Sequence, residues 1–126
     1  YDSIAKEAGS MMGSGAVIVM DETTDMVKAL KTLSSFYFSE SCGQCTPCRE
    51  GTGWIYRIVS RILDGEGKPE DLERLVHVSK NIEGRTICAL GDAAAAPVLS
   101  FITHFPEEFN YYIEHGRSMV EGANND

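Results

Sequence analysis

With 126 residues, 43% of them apolar and 24% charged, the chain has the make-up of a globular domain that can bury roughly two-thirds of its unfolded surface, not of a disordered or fibrous protein. Eleven basic residues against nineteen acidic ones leave a net charge of −8. The Lys and Arg are not clustered, which argues against nucleic acid as a partner. The longest apolar runs, "AVIVM" (16–20) and "AAAAPVL" (93–99), fall far short of the roughly eighteen residues of a membrane span, so direct membrane insertion is not expected.

Residues 1–15 carry no sustained period and end in a Gly/Ser cluster. "AVIVM" then reads as a short buried strand. From Thr24 the pattern is helical, with Met26, Leu30, Leu33 and Tyr37 near one face. Asp21 or Thr23 is the expected N-cap and Asp25 an acidic first turn. The next helix has Thr46 as its capping residue and Pro47 at its first position, where a missing N–H costs nothing. Trp54, Ile55, Ile58, Val59, Ile62 and Leu63 form its apolar stripe.

"DGEGKPED" (64–71) separates this helix from a third, led in by Pro69, in which Leu72, Leu75, Val76 and Ser79 share a face. "NIEGRTICALGD" (81–92) reads as a loop, and a fourth helix is expected from Asp92 to His104. Pro97 must fall in its first turns or kink it. "EEFNYYIEH" after Pro106 reads as one or two amphipathic turns, and "GRSMVEGANND" (116–126) as a disordered C-terminal tail. The expected fold is all-α, a four-helix bundle.

Cysteine spacing carries the chemistry. "ESCGQCTPCREG" (40–51) places Cys42, Cys45 and Cys48 at every third residue, and Cys88 follows forty positions after Cys48. The thiols fall in loops or at a helix start, not on apolar stripes where buried structural cysteines sit. A disulfide framework suits small secreted domains, whereas this chain has apolar residues enough for a core and shows no signal-peptide pattern. A reversible disulfide switch is a further use of thiols this close together.

The serious rival is a helical interaction module with a structural zinc site of four cysteines, usually built from two separated Cys-x-x-Cys pairs. Here the division is three plus one. Cys-x-x-Cys-x-x-Cys with one remote cysteine is the spacing that wraps an iron–sulfur cubane, each thiolate taking a separate iron. Cys48 near a helix N-terminus and Gly43, free to take a positive φ, would direct backbone N–H groups at an anionic cluster. Arg49 and Arg85 lie close enough in sequence to balance its charge.

"ESCGQCTPCREG" followed by "TICALGD" resembles the iron–sulfur end of the flavoprotein subunit of respiratory complex I, the NADH:quinone oxidoreductase. Diaphorase subunits of NAD-linked hydrogenases and formate dehydrogenases contain a similar region. The resemblance runs from about Gly15 to Glu114. It implies that Cys42, Cys45, Cys48 and Cys88 ligate a 4Fe-4S cluster that takes electrons from reduced flavin mononucleotide and passes them to clusters in neighbouring iron–sulfur subunits. In that family NADH and the flavin bind a glycine-rich domain that precedes this region. "GSG", "GTG" and "GEG" here lack the spacing and context of a dinucleotide fingerprint.

The resemblance therefore implies an oxidoreductase segment that is not catalytic alone, whose partners are the remainder of the flavoprotein subunit and the adjacent iron–sulfur subunits. Its place would be peripheral, on the cytoplasmic face of the inner membrane in a bacterium or the matrix side in a mitochondrion. Residues 1–22 would be the tail of a preceding β-grasp-like domain with "AVIVM" as its leftover strand, 23–115 the cluster-binding bundle, and 116–126 the tail. The chain opens at Tyr1, and a piece of a longer protein is expected. Absence of further ferredoxin-like cysteines favours complex I over the diaphorases.

Weaker candidates read as structure. His77, His104 and His115 share no ligand spacing and are expected on helix surfaces. Trp54, Phe101, Phe105 and Phe109 are expected in the core. No nucleophile–base arrangement is present, as suits a one-electron carrier in which the cofactor does the chemistry.

Overall fold

The computed structural model describes residues 2–120. It contains α1 (Asp2–Glu7), α2 (Met26–Glu40), α3 (Thr46–Leu63), α4 (Glu70–Ile82), α5 (Leu90–His104) and α6 (Pro106–His115). The all-α class follows, with no strand among the described residues. The expected strand at 16–20 does not form: Val17, Ile18 and Val19 are 84%, 70% and 90% exposed. A strand needs a neighbour to take its hydrogen bonds, and none lies beside this segment among the described residues.

Five helices share the core, not four. Val27 and Leu30 from α2, Ile55, Val59 and Ile62 from α3, Leu75 and Ile82 from α4, Ala95 and Val98 from α5, and Phe109 and Tyr112 from α6 form one buried cluster. Each fully buried side chain of the larger kind contributes roughly 1.5–3 kcal/mol. α6 thus has a full apolar face in place of the expected turn or two. Trp54 corrects the α3 stripe: it is 51% exposed, at the solvent edge of that face. Of the phenylalanines, Phe109 is fully buried and Phe105 is 39% exposed.

Caps differ from expectation by one polar residue or one turn. Asp25, not Asp21 or Thr23, caps α2, accepting from the Val27 and Lys28 amides at 3.0 and 3.3 Å. Asp21 instead closes its own turn on Thr23 N–H and Oγ1. Asp25 is 6% exposed and also accepts from Tyr112 Oη of α6. Burial first, and then the Asp25 carboxylate, hold the Tyr112 phenol above the usual tyrosine range. α3 begins one residue earlier than expected, with Cys45 as N-cap and Pro47 in its first turn. α5 begins at Leu90, which leaves Pro97 inside the helix, where Ala93 C=O lacks the usual donor.

α2 packs on α3, α3 on α4, α4 on α5 and α5 back on α2, with α6 against α2, α3 and α5. Chain direction alternates along such a series, so the α2–α3 and α4–α5 connections meet at one end. Gly51 in the first turns of α3 fixes that meeting: a Cβ there would lie 2.6 Å from Ile82 Cδ1, at the end of α4. The opposite end is closed by Gly65 against Gly116. Gly116 caps α6 and Ser118 is 6% exposed, so the first residues of the expected tail are packed; 121–126 lie outside the described residues.

Candidate metal centre

Cys42, Cys45, Cys48 and Cys88 line one cavity of about 130 Å³, together with Glu40, Ser41, Thr86 and Leu90. The topology explains the forty-residue gap. α3 carries the chain away from Cys48 and α4 brings it back beside Gly51, from where residues 83–89 reach the cavity. All four cysteines are free thiols; Cys48 is buried, Cys45 half-buried, and Cys42 and Cys88 exposed.

The loop at 41–45 is held by short-range bonds. Gly43 takes φ +79°, which any other residue adopts only with strain. Arg49 donates to Gly43 C=O at 2.8 Å and to Thr46 Oγ1 at 3.3 Å, and it pairs with Glu50 at 3.4 Å. Its guanidinium therefore braces the cysteine loop from the first turn of α3. Thr52 Oγ1 donates to Cys48 C=O at 2.7 Å, which anchors the third cysteine in the helix.

The second loop has its own fastenings. Gly84 N–H donates to the Asp92 carboxylate at 2.7 Å, and Thr86 Oγ1 to Cys88 C=O at 2.8 Å. Gly91 leaves room for the Thr86 side chain, which a Cβ there would overlap. Arg85 donates to Asn81 Oδ1 at 3.4 Å and so adds to the hold on the end of α4.

Two groups that sequence spacing does not single out reach the sulfurs. Ser41 Oγ is 3.2 Å from Cys48 Sγ, and Ile87 N–H donates to Cys45 Sγ at 3.4 Å. Ser41 lies within the cysteine motif, but a loop serine carries no signal of which sulfur it faces. His77, His104 and His115 are exposed, as expected, and stand outside the lining of the cysteine cavity. His104 Nδ1 lies against Ser100 C=O, and His115 packs on Tyr111.

The donor set fits a multi-atom metal group. Four sulfur donors surround a space several times the roughly 30 Å³ that one water occupies in the liquid, and two of the sulfurs already have hydrogen-bonding partners. Among the described residues no group of three or more His, Cys, Asp or Glu side chains is placed to hold a metal ion. No helix of the described residues is long and apolar enough to cross a membrane.

Similarity to known proteins bears on the same residues. The family described as the NADH-ubiquinone oxidoreductase-F iron–sulfur binding region matches residues 28–112. The NADH-quinone oxidoreductase F subunit of Rickettsia bellii (strain OSU 85-389) is 53% identical over 114 residues, 90% of this chain and 27% of that protein. The corresponding F 1 subunit of Rhizobium meliloti (strain 1021) is 52% identical over 114 residues, 90% of this chain and 26% of that one. The chain thus spans about a quarter of the length of these relatives. Among solved structures, an NAD+-reducing NiFe-hydrogenase in the air-oxidized state superposes with a TM-score of 0.77 at 32% identity, over 83% of this chain and 18% of that one. The chain belongs to the family of NADH-ubiquinone oxidoreductase-F iron–sulfur binding regions.

Proposed function

We propose that Cys42, Cys45, Cys48 and Cys88 are the four ligands of a 4Fe-4S cluster, and that the chain is the electron-transfer segment of an NADH:quinone oxidoreductase. The observation that carries this reading is the single cavity lined by all four cysteines, one of them forty residues from the rest. Its size favours a cubane over one zinc ion, which draws its thiolates close around a point. A bound 4Fe-4S cluster supplies reversible one-electron transfer.

The chain's own residues bind and orient. Cys48, set in the first turn of α3 and fixed through Thr52, gives the cavity its rigid corner. Arg49 keeps the 41–45 loop curled over it, and Asp92 holds the 84–88 loop at the start of α5. Burial of Cys48 and the half-buried Cys45 keeps water from the inner side, while Cys42 and Cys88 face outward.

In the whole protein this segment relays electrons from reduced flavin mononucleotide to clusters in neighbouring subunits. The NADH and flavin sites belong to the rest of the flavoprotein subunit, which is its direct partner, and residues 23–115 are the cluster-binding unit. A peripheral place at the cytoplasmic face of the membrane accords with the bacterial relatives. Metal and acid-labile sulfide analysis of anaerobically purified protein tests the ligand reading. Iron and sulfide in equal amounts are expected, with both reduced in Cys88→Ser. Zinc without sulfide would instead identify the structural zinc module.

A further inference from the structure

Cys48 is 7% exposed, so solvent offers its sulfur little. The Ser41 hydroxyl, 3.2 Å away, takes that place. Ser41 Oγ also accepts from Gly43 N–H at 3.4 Å, which occupies a lone pair and leaves the O–H free to point at sulfur. With Cys48 protonated, either atom could donate. A thiolate has no proton to give, so once Cys48 is a ligand the sulfur accepts and Ser41 donates.

We propose that Ser41 is a positioning residue that raises the reduction potential of the cluster held by the four cysteines, through the bond from its hydroxyl to Cys48 Sγ. This rests on the ligand reading above. Reduction adds one electron and moves no proton in this step; the added negative charge spreads partly onto the ligating sulfurs. A donor fixed at a sulfur stabilises the more negative, reduced form more than the oxidised one. The bond is part-buried, on the side of the buried Cys48, where water weakens such an interaction less than at an open surface.

The corresponding donor at Cys45 is the Ile87 amide, at 3.4 Å from the sulfur. It belongs to the backbone and is kept by most substitutions. Ser41 is therefore the side chain through which the sequence can adjust the potential without touching a ligand. It also closes α2, as its C-cap residue, with a backbone N–H to Tyr37 C=O that any residue but proline provides.

The test is a redox titration of the whole flavoprotein, followed through the electron paramagnetic resonance of the reduced cluster, with iron and sulfide measured on each sample. Ser41→Thr keeps a hydroxyl and is expected to titrate with the unsubstituted protein. Ser41→Ala is expected to keep its iron and sulfide. At the potential where the unsubstituted cluster is half-reduced, its ratio of reduced to oxidised form should fall roughly two- to fivefold, the share of one modest hydrogen bond.

An unchanged ratio in Ser41→Ala, or an equal fall in Ser41→Thr, overturns the inference and leaves the ligand reading intact. Loss of iron from Ser41→Ala overturns it too, since the hydroxyl would then hold the loop and not set a potential. An unsubstituted protein without iron and sulfide overturns the ligand reading, and this inference with it.

Discussion

Gly51→Val tests whether the cysteine cavity depends on how closely α3 and α4 approach. A Cβ at this position would stand 2.6 Å from Ile82 Cδ1, 2.7 Å from Ile82 Cγ1 and 3.6 Å from Val78 Cγ1, where ordinary contact begins near 3.4 Å. Ile82 is 1% exposed, so its side chain cannot swing into solvent. It must either take a poor rotamer or let the end of α4 move outward by roughly 1 Å, and overpacking of this kind costs about 1–3 kcal/mol.

Alanine at the same place regains about 1 kcal/mol of helix propensity relative to glycine and should sit closer to neutral. Valine regains less and adds two methyl groups to the clash. Urea unfolding should therefore show Gly51→Val less stable by about 2 kcal/mol. Because Ile82 immediately precedes the loop that carries Cys88, iron content should fall with it, even though no cysteine is altered. A Gly51→Val protein with unchanged urea midpoint and full iron would refute the claim that close helix approach positions Cys88.

Other outcomes are open to measurement. Tyr112→Phe removes a donor from the buried Asp25 carboxylate, at a cost of about 2 kcal/mol or roughly 8 °C in Tm; an unmoved Tm would show the pair to be idle. Burial disfavours the charged form of Asp71, but the Lys68 amide and the Arg61 and Arg74 guanidiniums outweigh it and hold the carboxyl below its usual range. Folded pKa below unfolded means stability present at neutral pH and lost as pH falls below about 4. The unsubstituted protein should lose that increment in acid while Asp71→Asn does not, and parallel stability curves for the two would contradict this. Removing the cluster should leave α3 protected from hydrogen exchange near Ile58 and Val59 but speed the amides at 39–47 and 82–91. Those loops are joined across the cavity by the Ile87–Cys45 bond, worth about 1 kcal/mol, and uniform loss of protection would mean that the helices depend on the metal.

The parts legible in the sequence are those fixed by residue type and interval. Thiol chemistry needs cysteine, and the three-residue spacing of Cys42, Cys45 and Cys48 points to one site without any knowledge of the fold. The long stripes of α2 to α4 are legible because an apolar face repeats with the helix. The place of Trp54 is not, since apolar character makes burial common without requiring it. Asp21, Thr23 and Asp25 are all competent caps, and the choice among them falls to the one that Tyr112 reaches across the fold. α6 is hard to read because its face is aromatic and the helix only ten residues long, too short for periodicity to separate it from a turn.

What brings Cys88 to the other three cannot be read locally at all. Between Cys48 and Cys88 the chain makes two helices of unequal length, α3 of 18 residues and α4 of 13, and at 1.5 Å per residue their spans differ by roughly 7 Å. A shorter return helix leaves the chain below the level from which it started. The connection at 64–69 takes up part of that difference, and residues 83–89 span the rest as an irregular arm. That arm has Ile87 85% exposed and holds on chiefly through polar bonds, Gly84 to Asp92 and Thr86 to Cys88. A glycine at 51 lets the end of α4 come in far enough for this short arm to suffice. The cysteine that looks most remote in sequence is thus placed by a missing methyl group three residues from Cys48, which no spacing rule for cysteines contains.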